Sequence, residues 1–167
     1  MLEQGRIERA PTWHEKDYGA RMLDAPVVIS HPTTLNDQTC TRFSLVGDVE
    51  AEAQLVLELD VYDNGPIEFE ETIPETRWEK QTFVVPPVDL NFAAQAIVSA
   101  SLRLHKRGAG NVVLARLEVG TIPCVATTLI TLRDIPDGEF CPSADRCRSG
   151  RCEPSPSVPG VGVCVAP

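Results

Sequence analysis

Aromatic side chains are scarce in this 167-residue chain: two Trp, two Tyr and five Phe make up 5% of it. A core must therefore be assembled mainly from Val, Leu, Ile and Ala, which favours strands. Basic residues are short as well, 15 Lys and Arg against 24 Asp and Glu, for a formal net charge of −9. That balance repels phosphate backbones, so nucleic acid is not an expected partner. No stretch reaches the roughly 20 apolar residues that a bilayer-crossing helix needs, and no membrane span is expected. Residues 1–19 hold no apolar run of the kind a secretory signal carries. Catalytic signatures are missing too. His14, His31 and His105 are scattered, no Ser or Cys sits in a nucleophile elbow, and no Gly-rich loop leads from a strand into a helix. Glu70 and Glu71 are adjacent in a strand and so point to opposite faces, which defeats a simple acid/base pair. Neither enzymatic activity nor a cofactor is expected.

What the chain does have is alternation. Ala100, Leu102 and Leu104 alternate with Ser101, Arg103 and His105, the period-2 pattern of a strand with one dry face. A second strand follows, with Val113, Ala115, Leu117 and Val119 on one face and Val112, Leu114, Arg116 and Glu118 on the other. The connector between them contains Gly108 and Gly110, which are able to take positive φ, so residues 100–119 read as a β-hairpin.

The remaining chain divides in the same way. Residues 1–25 show no sustained period and read as a wandering segment anchored by Trp13 and Tyr18. Strands are expected at 26–30, 40–46, 53–62 and 67–73, the last two joined by an Asn64-Gly65 turn. Residues 78–85 read as a strand whose register cannot be fixed without a bulge, and 124–132 as a final strand. About eight strands with turn chemistry between them, and no amphipathic helix, predict an all-β, antiparallel sandwich. Composition changes near residue 134. The expected organisation is a β-sandwich domain at 1–133, a linker at 134–140 and a cysteine-rich tail at 141–167.

Three stretches carry a resemblance: Ile7-Glu8 followed by Trp13, Thr76-Arg77-Trp78-Glu79-Lys80-Gln81-Thr82-Phe83-Val84-Val85, and Val113-Leu114-Ala115-Arg116-Leu117-Glu118-Val119. Through them residues 7–119 resemble the jelly-roll β-sandwiches of the galactose-binding-like and carbohydrate-binding-module families. The resemblance implies a non-catalytic glycan-binding module. Such modules often place an aspartate in the last strand near a structural calcium, and here Ala115-Arg116 stands in its place. Glu8 remains a weak calcium-ligand candidate by resemblance, with Arg116 disfavouring a cation.

The tail looks like the short cysteine-rich segments appended to bacterial extracellular and cell-surface proteins. Its spacing, C-x5-C-x4-C-x11-C, lacks the C-x2-C pairs of tetrahedral zinc sites, and it contains no His, so disulfides are expected rather than a metal. Of the three possible pairings the interleaved one, Cys141–Cys152 with Cys147–Cys164, staples so small a segment best. Cys40 and Cys124 would then pair with each other. Six cysteines spent this way imply an extracellular or cell-surface protein whose signal segment is absent from this sequence.

Glycan binding needs aromatic faces and polar groups for hydroxyls. Trp13 and Trp78 read as packing residues, leaving Tyr18 and Tyr62 as the better stacking candidates. Tyr62 shares an outward strand face with Glu58 and Asp60, while Arg103, His105 and Arg116 share the outward face of the 100–119 hairpin. On one concave sheet these would line a groove. The plainer reading is solvated strand surface with cross-strand ion pairs. Leu114 adds an apolar side chain to that outward face, as a covered or binding surface would. Two functions follow: a module binding carbohydrate or another cell-surface ligand, or a structural subunit whose partners are neighbouring protein chains.

Overall fold

The computed structural model describes residues 1–12, 17–35, 38–62, 67–89, 98–123 and 128–167. Eight strands form its main body: β1 (Leu2–Pro11), β2 (Tyr18–Leu35), β3 (Thr39–Val49), β4 (Leu55–Val61), β5 (Ile67–Thr72), β6 (Thr76–Val85), β7 (Val98–Lys106) and β8 (Val112–Pro123). They pair antiparallel in the order β5-β4-β7-β2-β8-β3-β6, with β1 added to β2. The long β2 joins two layers, because Val27 to Leu35 pair with β7 while Ala20 and Arg21 pair with β8. One hydrophobic cluster takes Leu55, Leu57, Leu59, Leu102 and Leu104 from the first layer and Phe43, Leu45, Val49 and Val85 from the second. The protein is an antiparallel jelly-roll β-sandwich. Each fully buried Leu in that cluster contributes about 1.5–3 kcal/mol from apolar burial.

The expected wandering start is instead a hairpin of β1 with the first part of β2, running in register from Arg6↔Leu23 to Pro11↔Tyr18. Ala10 is the buried residue of β1 among its described side chains, so the strand has no dry face and no period to betray it. It is held by main-chain pairing. Of the strand expected at 124–132, residues 124–127 lie outside the described residues and the rest is revised. β8 runs on to Pro123, and residues 128–132 are irregular, touching the body through a Val88↔Ile130 bridge.

Register in the second layer depends on two bulges. Val46↔Lys80 is followed by Asp48↔Arg77, so β6 carries an extra residue, and Trp78 there has φ 62. Phe83 and Val85 consequently turn to the core, while Val84 is exposed. In β8, Val46↔Arg116 is followed by Gly47↔Leu114, which leaves Ala115 as the extra residue. The bulge swaps the faces of the strand. Val112 and Leu114 enter the core, although simple alternation puts them outside.

The hairpin expected at 100–119 is corrected: both strands form, but β2 lies between β7 and β8 and pairs with each, so the 106–111 connector crosses from one layer to the other. There Gly108 and Gly110 serve close approach rather than positive φ. A Cβ on Gly108 would overlap the Glu52 carbonyl, and one on Gly110 would overlap the Ala53 backbone nitrogen. The connector lies on the 3-10 turn Ala51–Ala53, tied by Gly108 N–H to Ala53 O at 2.8 Å.

The tail forms a small sheet, β10 (Cys152–Pro154), β11 (Gly162–Cys164) and β9 (Phe140–Cys141), in that order. Its disulfides are Cys141–Cys152 and Cys147–Cys164, the interleaved pairing. Cys40 is disulfide-bonded, and its expected partner Cys124 lies outside the described residues. Ile135, within the segment read as a linker, is fully buried and joins Ile130, Leu132, Cys141, Cys147 and Cys164 in the main hydrophobic cluster. Among the described residues no helix is long and apolar enough to cross a membrane.

Candidate functional site

β4 has hydrogen-bonded neighbours on both sides, so even its non-core face is shielded, and Val56, Glu58 and Asp60 there are 4%, 5% and 1% exposed. Its partners set what those carboxylates meet. Glu58 lies opposite Arg103 of β7 and Glu70 of β5, and Val56 lies opposite His105. Odd-numbered residues of β7 share this face, and the series continues past the strand end to Arg107.

A polar network results. Arg103 Nη1 reaches Asp60 Oδ2 at 2.5 Å, and His105 Nδ1 lies 3.4 Å from Glu58 Oε1. Arg107 Nη2 donates to Glu58 and, at 2.9 Å, to Glu70. These bonds hold the Arg107 guanidinium above its ordinary pKa, the Glu70 bond foremost, against some desolvation and with further help from Glu58. Two carboxylates this deep would be costly without cations beside them, and the arginines supply that compensation. The deep members fix the geometry. His105, Arg107 and Glu70 keep side-chain exposures of 26%, 38% and 48%, and these three present polar atoms to solvent.

Glu58, Asp60, Arg103 and His105 are therefore brought together as alternation in the sequence predicts. Arg107 and Glu70 join them unforeseen. Arg107 follows the parity of Arg103 and His105 but reads as part of a turn, and Glu70 is recognisable only once the β4–β5 register is known.

Other candidates lie elsewhere. Tyr62 follows the last residue of β4 with φ 65, which breaks the alternation and turns its half-buried ring against the hydrophobic core. Leu114 is a core residue, 4% exposed, because of the β8 bulge. Arg116 is on β8, outside the β5-β4-β7 group, where it pairs with Glu118 at 2.5 Å. Trp78 is half-buried, and Trp13 lies outside the described residues. Tyr18 is exposed, with the Arg9 guanidinium stacked 3.6 Å from its ring centroid. Glu8 pairs with Arg21 at 3.1 Å, and a carboxylate already facing a guanidinium does not fit a calcium site. The sulfurs of Cys141, Cys147 and Cys152 lie close together, but all three are committed to disulfides.

No family model matches the chain, and no curated protein matches it. Among solved structures, it is similar to one described as "CBM4 structure and function" at 16% identity, over 70% of this chain and 77% of the other, with TM-score 0.49. A module described as TmCBM61 in complex with β-1,4-galactotriose is 12% identical over 73% of this chain and 86% of its own, with TM-score 0.42. The enzymatically active domain of bacteriophage CBA120 tailspike protein 4 is 11% identical over 73% of this chain and 19% of its own, with TM-score 0.45.

Proposed function

We propose that this chain is a non-catalytic, extracellular module that binds a glycan, or another polyhydroxylated surface ligand, on the β5-β4-β7 face. The observation that carries the reading is the convergence of Glu70, His105 and Arg107 over the buried Glu58 and Asp60 and the half-buried Arg103. A sugar hydroxyl both donates and accepts, so a carboxylate beside a guanidinium and an imidazole offers matched partners for vicinal hydroxyl groups. The buried base gives those groups a fixed geometry before the ligand arrives, which limits the entropy lost on binding. Two disulfides in the tail support an oxidising compartment.

A glycan array with the oxidised protein tests this. Binding to a subset of neutral or acidic glycans, reduced at least tenfold by His105→Ala, is the expected result. A second reading, a structural subunit contacting neighbouring chains, is favoured by β6, an edge strand on which Val84 is 46% exposed. An array without binding, together with oligomers that grow with concentration, would support that reading instead.

A further inference from the structure

Of the four tail cysteines, Cys141, Cys147 and Cys164 are buried and Cys152 is only partly covered. Gly162 lies against the Cys141–Cys152 bond, where a Cβ would stand 2.3 Å from Cys152 Sγ and 3.1 Å from Cys141 Sγ, so glycine at this position puts no side chain against the bond. The two disulfides also adjoin each other. The sulfurs of Cys141, Cys147 and Cys152 all lie within 4.8 Å of one another, although Cys147 is bonded to neither of the other two. The 3-10 turn Ala144–Arg146 curls the chain between Cys141 and Cys147. Register adds a second proximity, because Cys152 and Cys164 are direct partners across the β10–β11 pair and yet are each bonded elsewhere. Directly opposed residues of an antiparallel pair have Cα atoms about 4.5–5.5 Å apart, inside the range of about 4.4–6.8 Å that a disulfide spans. The tail thus holds its sulfurs for two pairings and uses one.

We propose that Cys152 is a reactive entry site for small thiols, from which the tail exchanges its interleaved disulfides for the pairing Cys141–Cys147 and Cys152–Cys164. Thiol–disulfide exchange proceeds by thiolate attack through a mixed disulfide, and access selects the sulfur attacked. The incoming thiolate bonds to Cys152 Sγ, the Cys141–Cys152 bond breaks, and its electron pair leaves on Cys141 Sγ. That thiolate lies within 4.8 Å of Cys147 Sγ. It bonds there and breaks the Cys147–Cys164 bond, which leaves a thiolate on Cys164. Cys164 then attacks Cys152 across the β10–β11 pair, and the small thiol departs as the thiolate that entered. Two tail disulfides are present before and after, so no oxidant or reductant is consumed and the thiol acts as a catalyst. What changes is which segments are tied together. The interleaved bonds fasten 141–147 to 152–164, whereas the new bonds close each half on itself and leave β9 joined to β11 through two residue pairs. Contact with a thiol therefore loosens the tail while its disulfide count is kept.

Non-reducing peptide mass mapping of the full oxidised chain, held without oxygen in substoichiometric reduced glutathione, then acid-quenched and alkylated, is the test. Trypsin cleaves after Arg146, Arg148 and Arg151, which puts Cys141, Cys147 and Cys152 on different peptides, while no Lys or Arg lies between Cys152 and Cys164. A peptide pair joined through Cys141–Cys147, and a C-terminal peptide closed on itself by Cys152–Cys164, should rise at least tenfold over a thiol-free control at constant total disulfide. Early samples should carry glutathione on Cys152 at least tenfold more often than on any other tail cysteine. The double variant Cys147→Ser, Cys164→Ser removes the second disulfide, and there only the Cys152 adduct with a free Cys141 should form. Native pairing that persists in the folded chain at a thiol concentration that scrambles the urea-unfolded chain would overturn the proposal. So would first adducts on Cys141, Cys147 or Cys164, or loss of disulfides without the new pairing.

Discussion

Lys80 of β6 and Glu118 of β8 reach each other at 3.2 Å across the intervening β3. The Glu118 carboxyl is held below its ordinary value of 4.5, first by the hydrogen bond from Lys80 and then by the charge of Arg116. Because the folded-state value is depressed, any stability it contributes is present above the unfolded value and is lost as pH falls through the folded one. Carboxyl NMR titration should therefore give Glu118 a midpoint below 4.5, moving up toward it in Lys80→Met. A midpoint unmoved by that substitution would remove Lys80 as the main cause. At this scale the sequence was informative where strands run straight. Glu58, Asp60, Arg103 and His105 share a face by parity alone. Tyr62 escaped because one residue with positive φ ends the alternation.

Among the elements, the strands with one dry face were legible and those without one were not. β4 and β7 alternate Leu with polar residues and were recognisable, whereas β1 buries little and is held by main-chain pairing to β2. Bulges are equally silent in sequence. The extra residue Ala115 sends Leu114 to the core, and the one at Trp78 selects the Phe83–Val85 face of β6. The β7–β8 connector shows the same difficulty, since its glycines suggest a turn and in fact admit the 51–53 backbone. Replacing Gly108 by Ala should cost about 1–3 kcal/mol, as overpacking does, read as a fall in the denaturation midpoint at unchanged m-value. An unchanged midpoint would mean that the connector does not rest on that turn.

Across the whole molecule, the tail is continuous with the sandwich core through Ile130, Leu132 and Ile135. Composition alone suggested a linker there, because one buried Ile among Asp, Pro and Gly carries no periodic signal. Ile135→Ala should destabilise the protein by about 2–5 kcal/mol and expose the tail to proteolysis with its disulfides intact. A loss well under 1 kcal/mol would show a tail that hangs free.

The central claim is that ligands bind on the β5-β4-β7 face, where the partly exposed His105 and Arg107 both meet the buried Glu58. It is most directly tested by following the His105 imidazole resonances by NMR while titrating a glycan taken from the array. Saturable shifts of those resonances, with the Arg107 side chain moving at the same ligand concentration, are predicted. Imidazole signals that stay fixed while the glycan saturates another surface would contradict it.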